Sequence, residues 1–112
     1  MKRYCQTLEL YNDPKLITAY VDEHKHVWKE IKDGIRSVGI LDMQIYLYDN
    51  RLFMIMDTTD DFDWEKDNNR LAKLPRQSEW ETYMSKYQVS IPGQASHQKW
   101  HLMEQIFGLN DR

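Results

Sequence analysis

With 112 residues, 41% of them apolar and 29% charged, the chain has the length and composition of one ordinary globular domain (1–112), able to bury a core without metals or disulfides. A formal net charge of -3 and an isoelectric point near 5.8 argue against nucleic acid as the main partner, because phosphate binding wants a basic face. The lone Cys5 cannot form an internal disulfide, which points to a reducing, cytoplasmic setting; the start MKRYCQTLEL has no apolar run of the signal-peptide kind, and no stretch approaches the roughly 20 apolar residues of a membrane span.

Residues 3–10 alternate outward and inward side chains, which predicts a half-buried strand. Asn12-Asp13-Pro14 ends it and opens a helix, with Asp13 suited to the N-cap and Pro14 to the first helical position. Leu16, Ile17, Tyr20, His24, Val27, Trp28, Ile31 and Ile35 recur at three- and four-residue steps, the pattern of one long amphipathic helix that exits near Gly34 or Gly39. From Ile40 the period falls to two. Residues 40–48 and 52–58 read as strands joined by a turn at Asp49-Asn50, a hairpin. A polar helical region starts at Asp60-Asp61, breaks near Leu74-Pro75 because the residue before proline is disfavoured in helix, and resumes over 78–88. Residues 89–99 read as loop and 100–107 as a last strand.

Strand, helix, strand, strand, helix, strand is the split βαβ pattern of ferredoxin-like α+β folds, an antiparallel sheet with two helices on one face. Met43, Ile45, Leu47, Phe53 and Ile55 cannot all point toward the helices if Ile40, Tyr46, Met54 and Met56 also need burial. The uncovered face therefore predicts sheet-to-sheet pairing in a homodimer.

Four Trp and seven Tyr are many for this length and suit a core with polar handles, a binding face, or both. Tyr20, His24 and Trp28 stand at successive i,i+4 positions, which predicts a single ridge along the helix. A histidine between two aromatic rings on an inward face sits in a partly dry pocket and can give or take a proton near neutral pH. The bland alternative is a core histidine satisfied by a backbone carbonyl. His26 points about 200° away from His24 and faces solvent or a loop, so the two are a poor metal pair. His97 and His101 have no ligand-spaced partner, and no metal site, Gly-rich phosphate loop or nucleophile elbow is recognisable. Trp80 and Tyr83 can share a helix face, either against the sheet or in a pocket. The acidic run 57–67 reads as a solvated helix start and not as a calcium loop.

The ridge Tyr20-x-x-x-His24-x-x-x-Trp28, the run IYLYDNRLFMIM (45–56), WETYM (80–84) and MEQIF (103–107), in that order, resemble the L-rhamnose mutarotase family along the whole chain. The resemblance implies a dimeric ferredoxin-like α/β barrel that uses no cofactor and interconverts the α and β anomers of a 6-deoxy-L-sugar. It makes His24 the counterpart of the family's proton-donating histidine, Tyr20 of a sugar-binding tyrosine, and Trp80 of the first of two adjacent substrate-contacting tryptophans. Two positions depart. Met43 stands where the archetype has a sugar-contacting tyrosine, and Glu81 where the second tryptophan falls, so the part of the pocket that reads hydroxyl stereochemistry is altered and L-fucose joins L-rhamnose as a candidate substrate. Mutarotation protonates the ring oxygen and removes the anomeric hydroxyl proton, so a second acid–base group is needed; Tyr20, Asp42 or a bound water could serve. Tyr20 and Trp28 then supply a hydrogen bond and an apolar wall, and Trp80 a stacking face. The competing readings are a non-catalytic sugar-binding module and a dimeric α/β-barrel monooxygenase or heme-degrading protein.

Overall fold

The computed structural model describes residues 1–91 and 93–110. The first strand, β1, spans Lys2–Glu9, and Asp13 caps the next helix, α1 (Pro14–Glu23), by accepting a hydrogen bond from the Lys15 N–H at 2.9 Å. The hairpin forms with the turn read from the sequence: β2 (Ile40–Tyr48) and β3 (Arg51–Thr58) meet across Asp49 and Asn50, and Asp49 takes a left-handed backbone (φ 53°). The sheet is antiparallel throughout, in the order β2-β3-β1-β4, where β4 is His101–Leu102. This is the ferredoxin-like α+β arrangement, with β3 inserted between the two strands of the split unit.

The single long helix expected over 14–35 is two helices. After α1 the chain turns through 24–28 and restarts as α2 (Lys29–Ser37), with Trp28 at the N-cap in an extended conformation (φ -61°, ψ 142°). Lys25 and His26 donate to the carbonyls of Asp22 and Glu23 at 3.1 Å each, so the last turn of α1 tightens to i→i−3 bonds before the chain leaves it. No glycine or proline marks the break. The contacts of Trp28, described below, hold the chain out of the helical path.

The polar region after β3 also divides, as the proline indicated. Asp63 caps α3 (Trp64–Ala72) through a 2.8 Å bond from Lys66 N–H, and α4 (Gln77–Ser85) follows from Arg76, which is in a left-handed conformation (φ 63°). Within the stretch expected to be loop, Ser96–Lys99 form a one-turn helix, α5; Pro92 lies outside the described residues. The last strand is much shorter than the expected 100–107. Among the described residues only His101 and Leu102 pair in register with β1; Met103 adds an N–H bond to the Cys5 carbonyl at 2.8 Å, and 104–110 run on without regular pairing, leaving Ile106 92% and Phe107 76% exposed. The run MEQIF has strand character but, beyond Met103, no strand partner among the described residues.

One sheet face carries Gln6 and Leu8 from β1, Leu52, Met54 and Met56 from β3, and Ile40 from β2, packed against Tyr20, Ile31, Leu71, Trp80 and Met84 of the helices. The opposite face carries Cys5, Phe53, Ile55 and Tyr46, flanked by the pairs Arg3–Asp57 (2.8 Å) and Arg51–Glu9 (3.0 Å), with no helix over it among the described residues. Both faces carry apolar residues, as expected, but the grouping differs: Met43, Ile45 and Leu47 share the helix-covered face with Ile40, Met54 and Met56, and Tyr46 joins Phe53 and Ile55 on the other, because Tyr46 pairs with Phe53 and Ile45 with Met54 across the hairpin.

Candidate active site

A cavity of about 760 Å³ lies between the helices and the sheet, within the range of about 300–1,000 Å³ typical of small-molecule sites. Met43, Ile45, Met54 and Met56 give it an apolar floor, with Gln6 among them, and helix residues form the rest of the wall. Of the residues singled out from the sequence, Tyr20, His24, Met43, Trp80 and Glu81 line this one space.

His24 closes α1 as its C-cap. Its ring Nδ1 is 2.9 Å from the Tyr20 carbonyl oxygen. A carbonyl only accepts, so Nδ1 carries the proton and Nε2 keeps its lone pair in the neutral imidazole, with no protein partner among the described residues. The ring stacks obliquely on Tyr20 (4.3 Å between centroids) and meets Trp80 edge to face at 5.8 Å. Burial pushes its pKa below the ordinary 6.5, against the opposing pull of the Tyr20 carbonyl and the Glu23 carboxylate. Satisfaction by a backbone carbonyl and availability for proton transfer are therefore compatible in one residue: the carbonyl uses one nitrogen and orients the other.

Trp28 does not line the cavity. Because the helix breaks after His24, Trp28 leaves the Tyr20–His24 ridge and packs behind Trp80, edge to face at 5.0 Å, with the Arg76 guanidinium 4.0 Å over its own ring. Its expected part as an apolar wall for the ligand is corrected to one of bracing Trp80. Tyr83 stands outside as well, stacked on Trp28 at 6.0 Å and donating to Glu23 at 2.7 Å, which joins the end of α1 to α4.

Residues missed in the sequence complete the polar side. Lys99, on α5, is fully buried and gives its three protons to the Glu81 carbonyl (2.7 Å), the Glu81 carboxylate (3.0 Å) and Gln88 Oε1 (3.0 Å). Gln88 in turn donates to the Tyr20 hydroxyl at 3.4 Å. Burial pushes the Glu81 carboxyl above its usual range, with Lys99 opposing, and burial also raises the Tyr20 phenol well above its ordinary value. Asn68 lines the cavity with a buried side-chain nitrogen that has no hydrogen-bond partner among the described residues. Nothing local announces Lys99, since a lysine in a polar stretch between elements reads as solvated until α5 turns it inward. Asp42 is exposed and accepts from Gln44 at 3.1 Å, at the rim of the cavity.

An α+β fold that holds an oriented imidazole, an aromatic wall and a buried carboxyl around one ligand-sized space is a site for moving protons on a small polar molecule. The family model described as L-rhamnose mutarotase matches residues 3–109. An L-fucose mutarotase of Xanthomonas campestris is 34% identical over 99% of this chain and 90% of its own length, and a UPF0734 protein of Dictyostelium discoideum is 36% identical over 97% and 90%. The crystal structure of an L-rhamnose mutarotase from Formosa agariphila superposes with a TM-score of 0.73 over 97% of this chain and 99% of that one, at 19% identity, a likeness of fold. The chain belongs to the L-rhamnose mutarotase family and is an isomerase. Neither the sugar-binding module nor the monooxygenase reading is favoured by these relatives. Among the described residues, no helix is long and apolar enough to cross a membrane.

Proposed function

We propose that the protein interconverts the α and β anomers of a 6-deoxy-L-sugar in this cavity, with His24 as the acid–base group. The observation that carries the reading is the His24 ring, held by the Tyr20 carbonyl at one nitrogen and lining the cavity without a protein partner at the other. In ring opening the anomeric hydroxyl loses its proton while the ring oxygen gains one; closure on the other carbonyl face reverses both transfers. A neutral imidazole suits this work because the same nitrogen takes a proton in one half and returns it in the next. Trp80 offers the C–H face of the sugar a stacking surface, and Met43 with the other methionines suits a methyl group at C6. Asn68, left with an unpaired buried donor, suits a ligand rich in hydroxyls, because an unsatisfied buried donor costs about 1–3 kcal/mol. Of L-rhamnose and L-fucose, the second has the support of the Xanthomonas relative, named for that sugar.

The working form is a homodimer joined through the uncovered sheet face, where Phe53, Ile55 and Tyr46 form an apolar strip between charge pairs. A cytoplasmic, reducing setting fits the single thiol of Cys5.

Saturation-transfer NMR on L-fucose, L-rhamnose and a panel of aldohexoses follows anomer exchange directly. The wild-type protein is expected to accelerate exchange on a 6-deoxy-L-sugar, and His24→Ala to keep its fold and lose ~10²–10⁴-fold of the rate. No acceleration on any sugar rejects the function. A mutant as fast as wild type removes His24 from it.

A further inference from the structure

We propose that Glu81, held in place by Lys99, is the second proton-transfer group of the site. The proposal rests on the mutarotase reading and names the partner that His24 requires. Opening a pyranose moves two protons on atoms that share one carbon, O1 and the ring oxygen O5, so the two protein groups must face the same small volume. His24 and Glu81 both line the cavity, from α1 and α4.

Tyr20, Lys99 and Asp42 fit the task poorly. The Tyr20 phenol accepts from Gln88 and is buried among aromatic rings, which holds its proton tightly. Lys99 has all three protons committed to Glu81 and Gln88 and is wholly buried. Asp42 is exposed at the rim. Glu81, by contrast, lines the cavity with a carboxyl that has one oxygen anchored at 3.0 Å on Lys99 and a side chain left 18% exposed. Lys99 is a positioning residue: its bonds to the Glu81 backbone and side chain together restrict the carboxyl to one orientation, and its bond to Gln88 orients the amide that meets Tyr20.

The proton count closes over a turnover. With the imidazole neutral and the carboxyl protonated, His24 takes the proton from O1–H, the C1–O5 bond breaks with its electron pair going to O5, C1=O1 forms, and O5 takes the proton of Glu81. Rotation about C1–C2 then turns the other carbonyl face. O5 attacks C1 while the Glu81 carboxylate recovers the O5 proton, and O1 receives the proton from the His24 imidazolium. Both groups end as they began, with no exchange with solvent required. Burial shifts each group toward its uncharged form, against the pull of Lys99 at Glu81. The other titratable or charged side chains lining the cavity are Tyr20, Lys32, Arg36, Asp42 and His97.

The test compares wild type, Glu81→Gln and Glu81→Asp by anomer exchange on L-fucose and L-rhamnose across pH. One shared proton requires a bell-shaped profile in the wild type. Glu81→Gln is expected to lose ~10²-fold or more in kcat with KM little changed, and to lose the alkaline limb; Glu81→Asp should recover part of the rate and keep both limbs. If the wild type accelerates exchange and Glu81→Gln keeps both rate and profile, the role of Glu81 is overturned while the mutarotase reading stands. If the wild type accelerates nothing, both fall. Should Glu81→Gln fail to fold, the side-chain carboxyl carbon of Glu81 in labelled wild-type protein decides: it must titrate with the alkaline limb and shift when L-fucose or L-rhamnose is added, and a carboxyl blind to both overturns the proposal.

Discussion

At the residue scale, the site turns on how two nitrogens of one ring are divided. The Tyr20 carbonyl fixes the tautomer of His24, and burial sets its charge. The sign of the pH dependence follows from that shift. A histidine pKa lowered on folding means that the unfolded chain binds the proton more readily, so the contribution of His24 to stability is present above the ordinary value of 6.5 and is lost as pH falls through the lower, folded value. Long-range ¹H–¹⁵N NMR of the ring is expected to show a neutral Nδ1–H tautomer at pH 7 and a midpoint below 6.5, with the acid limb of anomer exchange in the same window. A midpoint above 6.5 contradicts the buried environment. The pair of Glu81 and Lys99 has a different balance. Taking the Lys99 ammonium out of water is costly, and its three short bonds to Glu81 and Gln88 offset that cost without making the pair a large net source of stability.

At the element scale, the packing of α2 on α4 decides where the cavity closes. Gly34, buried on α2, faces Gln77 of α4, whose side-chain nitrogen donates to the Ile31 carbonyl at 3.2 Å. Alanine in place of glycine in a helix ordinarily adds about 1 kcal/mol of stability. Here the added Cβ meets the Gln77 amide, and displacing it strands a buried donor at about 1–3 kcal/mol. Gly34→Ala is therefore expected to be net destabilising, read as a lower urea midpoint at unchanged m-value; a stabilised variant shows that Gln77 finds another partner. The same approach of helices explains Trp28. Once the chain breaks at 24–28, that indole sits between Arg76 and Trp80 and fixes the face that Trp80 turns to the cavity.

At the scale of the whole molecule, the helices cover one face of the sheet and leave the other, with Phe53, Ile55 and Tyr46 on it. The tail beyond Leu102 is apolar and exposed, Leu109 at 82%. In the proposed homodimer, two copies meeting through the bare faces bury that strip. Analytical ultracentrifugation is expected to give twice the 13.6 kDa chain mass at micromolar protein, and Phe53→Asp to give the monomer. A wild-type monomer at that concentration rejects the pairing.

The order of strands, the hairpin with its turn at Asp49-Asn50, the N-cap at Asp13 and the interruption at Pro75 follow from neighbours in the chain, because side-chain period and backbone restriction act over a few residues. For the same reason His24 stands out in the sequence next to Tyr20. The break after His24 depends on Trp28 finding Trp80, the shortness of β4 on how far β1 can pair, and the polar side of the cavity on α5 swinging Lys99 onto Glu81. Local pattern determines which face a residue occupies within its own element. Only the meeting of distant elements decides which faces share a cavity, since that depends on packing between residues whose separation in the chain carries no periodic signal.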